Sequence, residues 1–297
     1  GVFPAITTPF GEDLSVDLAF LSGHVGALVD AGCTGLVALG SLGESATLSF
    51  EEKTAILSAC QVGLRDRAPL VAGIAALSTA EAVALARAAE DAGCDGLMVL
   101  PPYVYRGDGR ETETYFSAVL SATPLPCMLY NNPIAYGTDV LPEAIARLAD
   151  RHPNLAGVKE SSTDVRRLAA IRALVDDRLA LFVGVDDLVV EAVRAGACGW
   201  IAGVVNALPG ESVTLFDLAV AGEEEQARAL YEWFLPLLRL DVVPKFVQLI
   251  KLLQQEVGLG SERVRPPRLP LEGAEREAVL ALVRERLASR PALASAR

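Results

Sequence analysis

Apolar residues along this chain come in short unbroken runs of four to six, too brief for buried helices and without the alternation of a half-exposed sheet. Such runs are the pattern of strands covered on both faces. Three of them share a lead-in. Asp30-Ala31-Gly32-Cys33-Thr34-Gly35 precedes Leu36-Val37-Ala38-Leu39. Asp91-Ala92-Gly93-Cys94-Asp95-Gly96 precedes Leu97-Met98-Val99-Leu100. Arg194-Ala195-Gly196-Ala197-Cys198-Gly199 precedes Trp200-Ile201-Ala202. Each is a helix end, a glycine stop and then a strand, and its repetition marks a βα repeat. The other strands are expected at residues 2–7, 70–75, 127–130, 155–159 and 181–185, with the eighth running 199–204. Helical composition fills stretches such as 52–64, 79–91 and 141–150.

Eight short strands alternating with helices predict an α/β fold, a parallel sheet closed as a (β/α)8 TIM barrel. A doubly wound open sheet is the alternative. No glycine-rich dinucleotide fingerprint follows the first strand, and the later Gly258-Leu259-Gly260 lacks that context. Strand signals stop near residue 210, and helices are expected at 211–221, 223–240, 243–257 and 271–289. The stretch 265–270, with three prolines, is a stiff connection before the last. The expected division is a barrel domain over 1–220 and a C-terminal helical appendage over 221–297.

Composition supports a large core, since 52% of the 297 residues are hydrophobic. The 26 basic and 38 acidic residues give a net charge of −12, which argues against nucleic acid as a partner because no basic stripe can neutralise phosphates. No apolar run is long enough to span a membrane. Cys33, Cys60, Cys94, Cys127 and Cys198 form no C-x-x-C pair and read as small hydrophobes of a reducing cytoplasm. His24 and His152 lack metal-ligand spacing, so structural roles and no metal site are expected.

Against this background three polar groups stand out. Lys159 ends the apolar run Leu155-Ala156-Gly157-Val158, where burial disfavours its ammonium form. A desolvated amine attacks carbonyls to form a Schiff base. Tyr130 ends the run Cys127-Met128-Leu129, and Ser41 sits in the loop Gly40-Ser41-Leu42-Gly43-Glu44 after the second strand. In a barrel all three converge at the C-terminal mouth, where reactive residues collect. Gly40 and Gly43 would let backbone N–H groups hold a carboxylate. Glu44 reads as a helix N-terminal carboxylate steadying the loop. Tyr130 is either amphipathic packing or, opposite a Schiff-base lysine, a proton shuttle. Tyr103, in the aromatic and proline-stiffened Leu100-Pro101-Pro102-Tyr103-Val104-Tyr105, is either a site rim or interface residue or part of a plain surface loop.

Together these motifs resemble the dihydrodipicolinate synthase / N-acetylneuraminate lyase family. The likeness runs from Phe3-Pro4-Ala5-Ile6-Thr7-Thr8-Pro9-Phe10 through the 40–44 loop and Tyr130-Asn131-Asn132-Pro133 to Gly157-Val158-Lys159-Glu160. The resemblance implies a barrel with C-terminal helices, a homotetramer built from tight dimers, and a class I mechanism without a separate cofactor. Lys159 would form the covalent Schiff base with a small 2-oxo acid, and Tyr130 would move protons. Ser41 would join Tyr130 to Tyr103 reaching in from a neighbouring subunit.

Two departures narrow the reaction. Synthases of the family carry a second hydroxyl in the loop, where this chain has Leu42. They also carry an arginine after the Tyr-Asn-x-Pro motif to grip the second substrate's carboxylate; here Ala135 stands in that place, and Tyr136 beside it brings no charge. N-acetylneuraminate lyases also usually keep the second hydroxyl. Leu42, the double asparagine, and the stretches around Asp186 and Gly203 resemble a catabolic branch, the 1-pyrroline-4-hydroxy-2-carboxylate deaminases and the 2-keto-3-deoxyarabonate dehydratases. The expected ligand is therefore a 2-oxo acid or cyclic imine carboxylate, lined by Gly40, Leu42, Gly43, Ala135, Tyr136, Asp186 and Gly203. An aldolase that releases pyruvate and a 4-hydroxy-tetrahydrodipicolinate synthase stay open. A non-catalytic binding protein on this fold would be expected to lack Lys159 or Tyr130, and both are present.

Overall fold

In the computed structural model, which describes residues 1–293, eight strands and the helices between them alternate from the N-terminus. They run β1 (Val2–Pro4), α1 (Leu18–Asp30), β2 (Leu36–Ala38), α2 (Phe50–Leu64), β3 (Leu70–Ile74), α3 (Thr79–Asp91) and β4 (Gly96–Val99). Next come α4 (Gly109–Leu120), β5 (Cys127–Asn131), α5 (Pro133–Tyr136), α6 (Pro142–Arg151), β6 (Leu155–Glu160) and α7 (Arg166–Val175). The barrel ends with β7 (Ala180–Val183), α8 (Val189–Arg194) and β8 (Gly199–Ala202). Four helices follow: α9 (Pro209–Ala221), α10 (Glu224–Leu238), α11 (Phe246–Glu256) and α12 (Gly273–Ala288).

All strands pair in parallel, in the order β1-β8-β7-β6-β5-β4-β3-β2. The ring closes where Ala5 bridges Val37 and the Ile6 N–H donates to the Val37 carbonyl at 2.9 Å. This is the expected (β/α)8 barrel, and the open doubly wound sheet is set aside. The glycine stops act as predicted: Gly32, Gly93 and Gly196 have φ of 98°, 76° and 100°, a left-handed turn that ends α1, α3 and α8 three or four residues before a strand. Side-chain caps start some of the helices. Ser49 with Glu52 and Asp108 with Glu111 form reciprocal capping boxes on α2 and α4.

Several bounds differ from the pattern. Strands seven and eight stop early, at Val183 and Ala202, because Gly184 and Gly203 lead into 3-10 turns at Asp186–Leu188 and Val204–Asn206. The helix expected from 243 starts at Phe246, after a 3-10 turn at Arg239–Asp241 and Pro244. The last starts at Gly273 rather than 271, and residues 294–297 of the expected appendage lie outside the described residues. The C-terminal helices share the barrel's core. Phe234, Leu237, Leu238, Ile250, Leu252 and Leu253 have no exposed surface, and each such side chain contributes about 1.5–3 kcal/mol of burial. Cys33, Cys60, Cys94 and Cys127 are buried as expected; Cys198 is exposed. His24 is buried beside Gln254, and burial pulls its imidazole down to about 4, a structural neutral histidine. Among the described residues no helix is long and apolar enough to cross a membrane, and no group of three or more His, Cys, Asp or Glu is placed to hold a metal ion.

Candidate active site

β5 and β6 run side by side with Tyr130 opposite Lys159 and Asn131 opposite Glu160. Side chains alternate across a strand, so the reactive pair and the supporting pair face opposite ways. Lys159 is 6% and Tyr130 5% exposed. The Lys159 Nζ lies over the Tyr130 ring, 4.2 Å from its centroid, an attraction of charge to the ring face. Behind them, Asn131 Nδ2 donates to Glu160 Oε2 at 3.1 Å, and the Val140 N–H donates to Asn131 Oδ1 at 2.9 Å. Glu160 also accepts from the Ser162 N–H at 2.7 Å, though burial raises its carboxyl above the usual value.

The double asparagine has two separate duties. Asn131 is the strand-end clamp just described. Asn132 accepts from the Ala135 N–H at 3.0 Å, capping the one-turn α5, and its Nδ2 donates to the Tyr130 hydroxyl at 3.1 Å. Pro133 at the first helical position suits such a start. The turn places Tyr136 between two other tyrosines, its ring 5.8 Å from Tyr130 and 6.0 Å from Tyr103. The Tyr136 and Ser41 hydroxyls are hydrogen-bonded. Burial, reinforced by Tyr130, pushes the Tyr136 phenol far above its ordinary range, so it stays protonated.

This corrects one expectation and adds a contact to another. Ser41 is bonded to Tyr136, and the Tyr130 hydroxyl is held by Asn132 instead. Tyr103, expected to serve a neighbouring subunit, packs its ring on Tyr136 of its own chain, while Val104 and Tyr105 beside it are exposed. Ala135 is exposed on the outside of the turn, and the Arg106 guanidinium lies against Gly137 at its end.

The loop of Gly40, Ser41, Leu42 and Gly43 is anchored from below. Glu44 has no exposed surface and does not act as a helix cap; its Oε1 takes a 2.8 Å bond from Lys251 Nζ of α11, and its Oε2 accepts from the Arg265 N–H at 3.0 Å. Lys251 also donates to the Thr8 carbonyl at 2.8 Å. Gly40 is not crowded, since an added Cβ would meet only Met98 at 3.6 Å; at Gly43 the Ile6 carbonyl would stand 3.0 Å away.

Across the mouth the wall is made by missing side chains. A Cβ on Gly184 would overlap Lys159 Cε and Ser161 Oγ, so only glycine lets the lysine pass. A Cβ on Gly203 would overlap the Asp241 carboxylate and sit 3.4 Å from Leu42 Cδ2. Asp186 has no exposed surface. It accepts from Trp200 Nε1 at 2.9 Å, Gly203 N at 3.0 Å and Val204 N at 2.8 Å. Its expected place against a ligand is therefore corrected: it fixes the end of β8, and burial lifts its carboxyl to about 6 against those donors. Asp241, from the turn after α10, was not foreseen. Burial, with Asp186 adding to it, holds its carboxyl well above the carboxylate range, while Lys159 opposes. Chemically the mouth offers an amine shielded from water, phenols beside it, and a protonatable carboxyl opposite. Two surface clefts, of ≈ 250 Å³ beside Tyr105 and ≈ 720 Å³ beside Arg268, contain neither Lys159 nor Tyr130, so it is chemistry that marks the site.

Comparison with known proteins agrees with this geometry. The model of the dihydrodipicolinate synthetase family matches residues 1–286. The 4-hydroxy-tetrahydrodipicolinate synthase of Xanthomonas axonopodis pv. citri is 36% identical, with 99% of each chain covered. That of Methanoculleus marisnigri is 32% identical over 93% of this chain and 96% of its own. Among solved structures, a putative dihydrodipicolinate synthetase from Pseudomonas aeruginosa superposes with a TM-score of 0.91 at 32% identity, covering 96% of this chain and 99% of that one. YagE of E. coli K12, a prophage protein of the same family solved in complex with pyruvate, has a TM-score of 0.91 at 28% identity, covering 97% and 98%. The chain belongs to the dihydrodipicolinate synthetase family, enzymes that act as lyases through a lysine Schiff base.

Proposed function

We propose that this enzyme is a dehydrating lyase of the family, with 1-pyrroline-4-hydroxy-2-carboxylate as substrate and deamination as its outcome. Lys159 Nζ adds to C2 of the imine, the ring C2–N bond breaks to leave that nitrogen on C5 as an amine, and the lysine becomes the Schiff base. Tyr130, 4.2 Å beneath it, takes a proton from C3. The enamine expels the C4 hydroxyl as water, and hydrolysis releases 2-oxoglutarate semialdehyde, ammonia and the free lysine. A linear 2-keto-3-deoxypentonate passes through the same steps without ammonia. Ser41 and Tyr136 hold the mouth beside the substrate carboxylate. The family's neighbouring-subunit contribution comes from the segment of Tyr103, Val104 and Tyr105 in a homotetramer.

The observation that carries this is the α5 turn. Ala135 points to solvent and Tyr136 fills the inner side, so the turn offers the mouth a phenol where a condensing synthase needs a cation for its second substrate. The synthase is the second reading, favoured by the names of the relatives and by Arg106 lying against Gly137. A substrate panel separates them. The cyclic imine should give semialdehyde, read with a coupled NAD(P)-dependent dehydrogenase, and one ammonia per turnover. Condensation of pyruvate with aspartate semialdehyde at comparable rate would replace this proposal with the synthase. Pyruvate as the main product would replace it with an aldolase.

A further inference from the structure

Asp241 has no counterpart among the groups used so far. It lies in the 3-10 turn Arg239–Asp241, outside the eight βα units, yet its carboxyl rests on Gly203 at the end of β8. The contact is so close that any Cβ on Gly203 would overlap Oδ1. Gly203 is itself fixed, because its N–H donates to Asp186 at 3.0 Å. The carboxyl therefore lies at the mouth wall beside Gly203, next to Leu42 and within the field of Lys159. Neighbouring acids are accounted for: Asp186 is consumed by three N–H donors, and Asp187 faces Arg239 at 3.7 Å. Asp241 has no side-chain hydrogen bond or ion pair among the described residues.

A second observation points to a ligand beside the lysine itself. Ser161 is 3% exposed, follows Lys159 by two residues, and lies with the lysine chain in the gap that Gly184 leaves. Its Oγ is buried without a hydrogen-bond partner. A buried hydroxyl left unsatisfied costs about 1–3 kcal/mol, and a polar group of a bound substrate relieves it.

The dehydration proposed above needs an acid at C4 as well as a base at C3. When the enamine nitrogen drives its electron pair in, C3=C4 forms and the C4–O bond breaks; hydroxide is a poor leaving group unless protonated as it departs. Tyr130 is on the proton-accepting side, at C3. We propose that Asp241 is the acid that protonates the departing C4 hydroxyl, making it water. The Asp241 proton goes to the leaving oxygen, the carboxylate remains, and bulk water restores the proton when the mouth opens. The assignment rests on the dehydratase reading, and a carboxyl on which burial strengthens the hold of the proton is the group that step requires.

The test compares partial reactions in Asp241→Asn and the wild type. Borohydride trapping of pyruvate at Lys159, and exchange of the pyruvate C3 protons in D2O, report Schiff base and enamine without any leaving group. Both should stay within about threefold in the variant, since general acid catalysis affects only the step it serves. Turnover of the 4-hydroxy substrate should fall by about 10²–10⁴. A 4-chloro-2-oxo acid, whose chloride leaves without a proton, should lose little. Equal losses on the hydroxy and chloro substrates, or loss of exchange as well, would overturn the assignment and make Asp241 a packing residue. So would full hydroxy turnover in the variant. A wild type that exchanges pyruvate protons yet eliminates nothing from hydroxy substrates would overturn the dehydratase reading and the assignment with it.

Discussion

The β5–β6 side of the mouth and the β7–β8 side reach the same space by different means. On the first, strands carry the reactive groups themselves: Tyr130 and Lys159 stand opposite each other, braced by Asn131 and Glu160 one position further along. On the second, strands contribute absence. Gly184 and Gly203 clear a passage for Lys159 and for a carboxylate brought from after α10, and Asp186 spends its oxygens holding the wall. Reactivity that comes from a strand end is set by local register. Space that comes from glycine is set by a residue distant in sequence.

The largest expected effect breaks the first side. Lys159→Ala should abolish the borohydride-trapped adduct by intact mass and bring turnover to background. An adduct surviving in that variant would move the Schiff base elsewhere. Tyr130→Phe should fold normally and lose about 10²–10⁴ in rate; near-wild-type turnover would make Tyr130 a packing residue.

Two glycine variants sharpen the comparison. Gly184→Ala pushes on the Lys159 chain itself and should impair trapping, whereas Gly203→Ala pushes on Asp241 and should leave trapping intact while elimination falls by about 10², the scale of a misplacement near 1 Å. If both variants fail at the same step, the two glycines do not divide the work as described.

The smallest effect concerns stability. Asp186 has a folded value of about 6, above the ordinary 3.8, because burial outweighs its hydrogen bonds. The folded state then binds the proton more tightly, so this contribution is present below pH 3.8 and is lost as pH rises to about 6. It amounts to about 2–3 kcal/mol. Urea denaturation across that window should show the slope in the wild type and its absence in Asp186→Asn. An unchanged slope in the variant would assign the titration to another group.

How much of this was legible follows the same division. The barrel, its glycine stops and the Lys159 and Tyr130 positions are local patterns: a polar group ending an apolar run is visible without knowing what packs against it. The exchange of partners at Ser41 was not visible, because it depends on how the four-residue α5 turns Tyr136 inward past Tyr130. Lys251 sits in an expected helix and Asp241 in the short gap between two, where one charge looks like any solvated position. Only the fold shows that Lys251 meets Glu44, 207 residues away, and that Asp241 meets Gly203. Asp186 was placed in the right region with the wrong duty, since sequence cannot show which N–H groups will converge on a carboxylate.

The pairing of Glu44 with Lys251 also orders events during synthesis. Domains form from the N-terminus as the chain leaves the ribosome. A chain that has emerged through β8 already contains Lys159, Tyr130 and the buried carboxylate of Glu44, but not the ammonium that neutralises it, nor Asp241. A buried charge whose partner is missing is worth several kcal/mol of instability. The loop that carries Ser41 therefore lacks its neutralising partner until α11 has been made, and the nascent chain contains its reactive amine before the chamber around it can be complete.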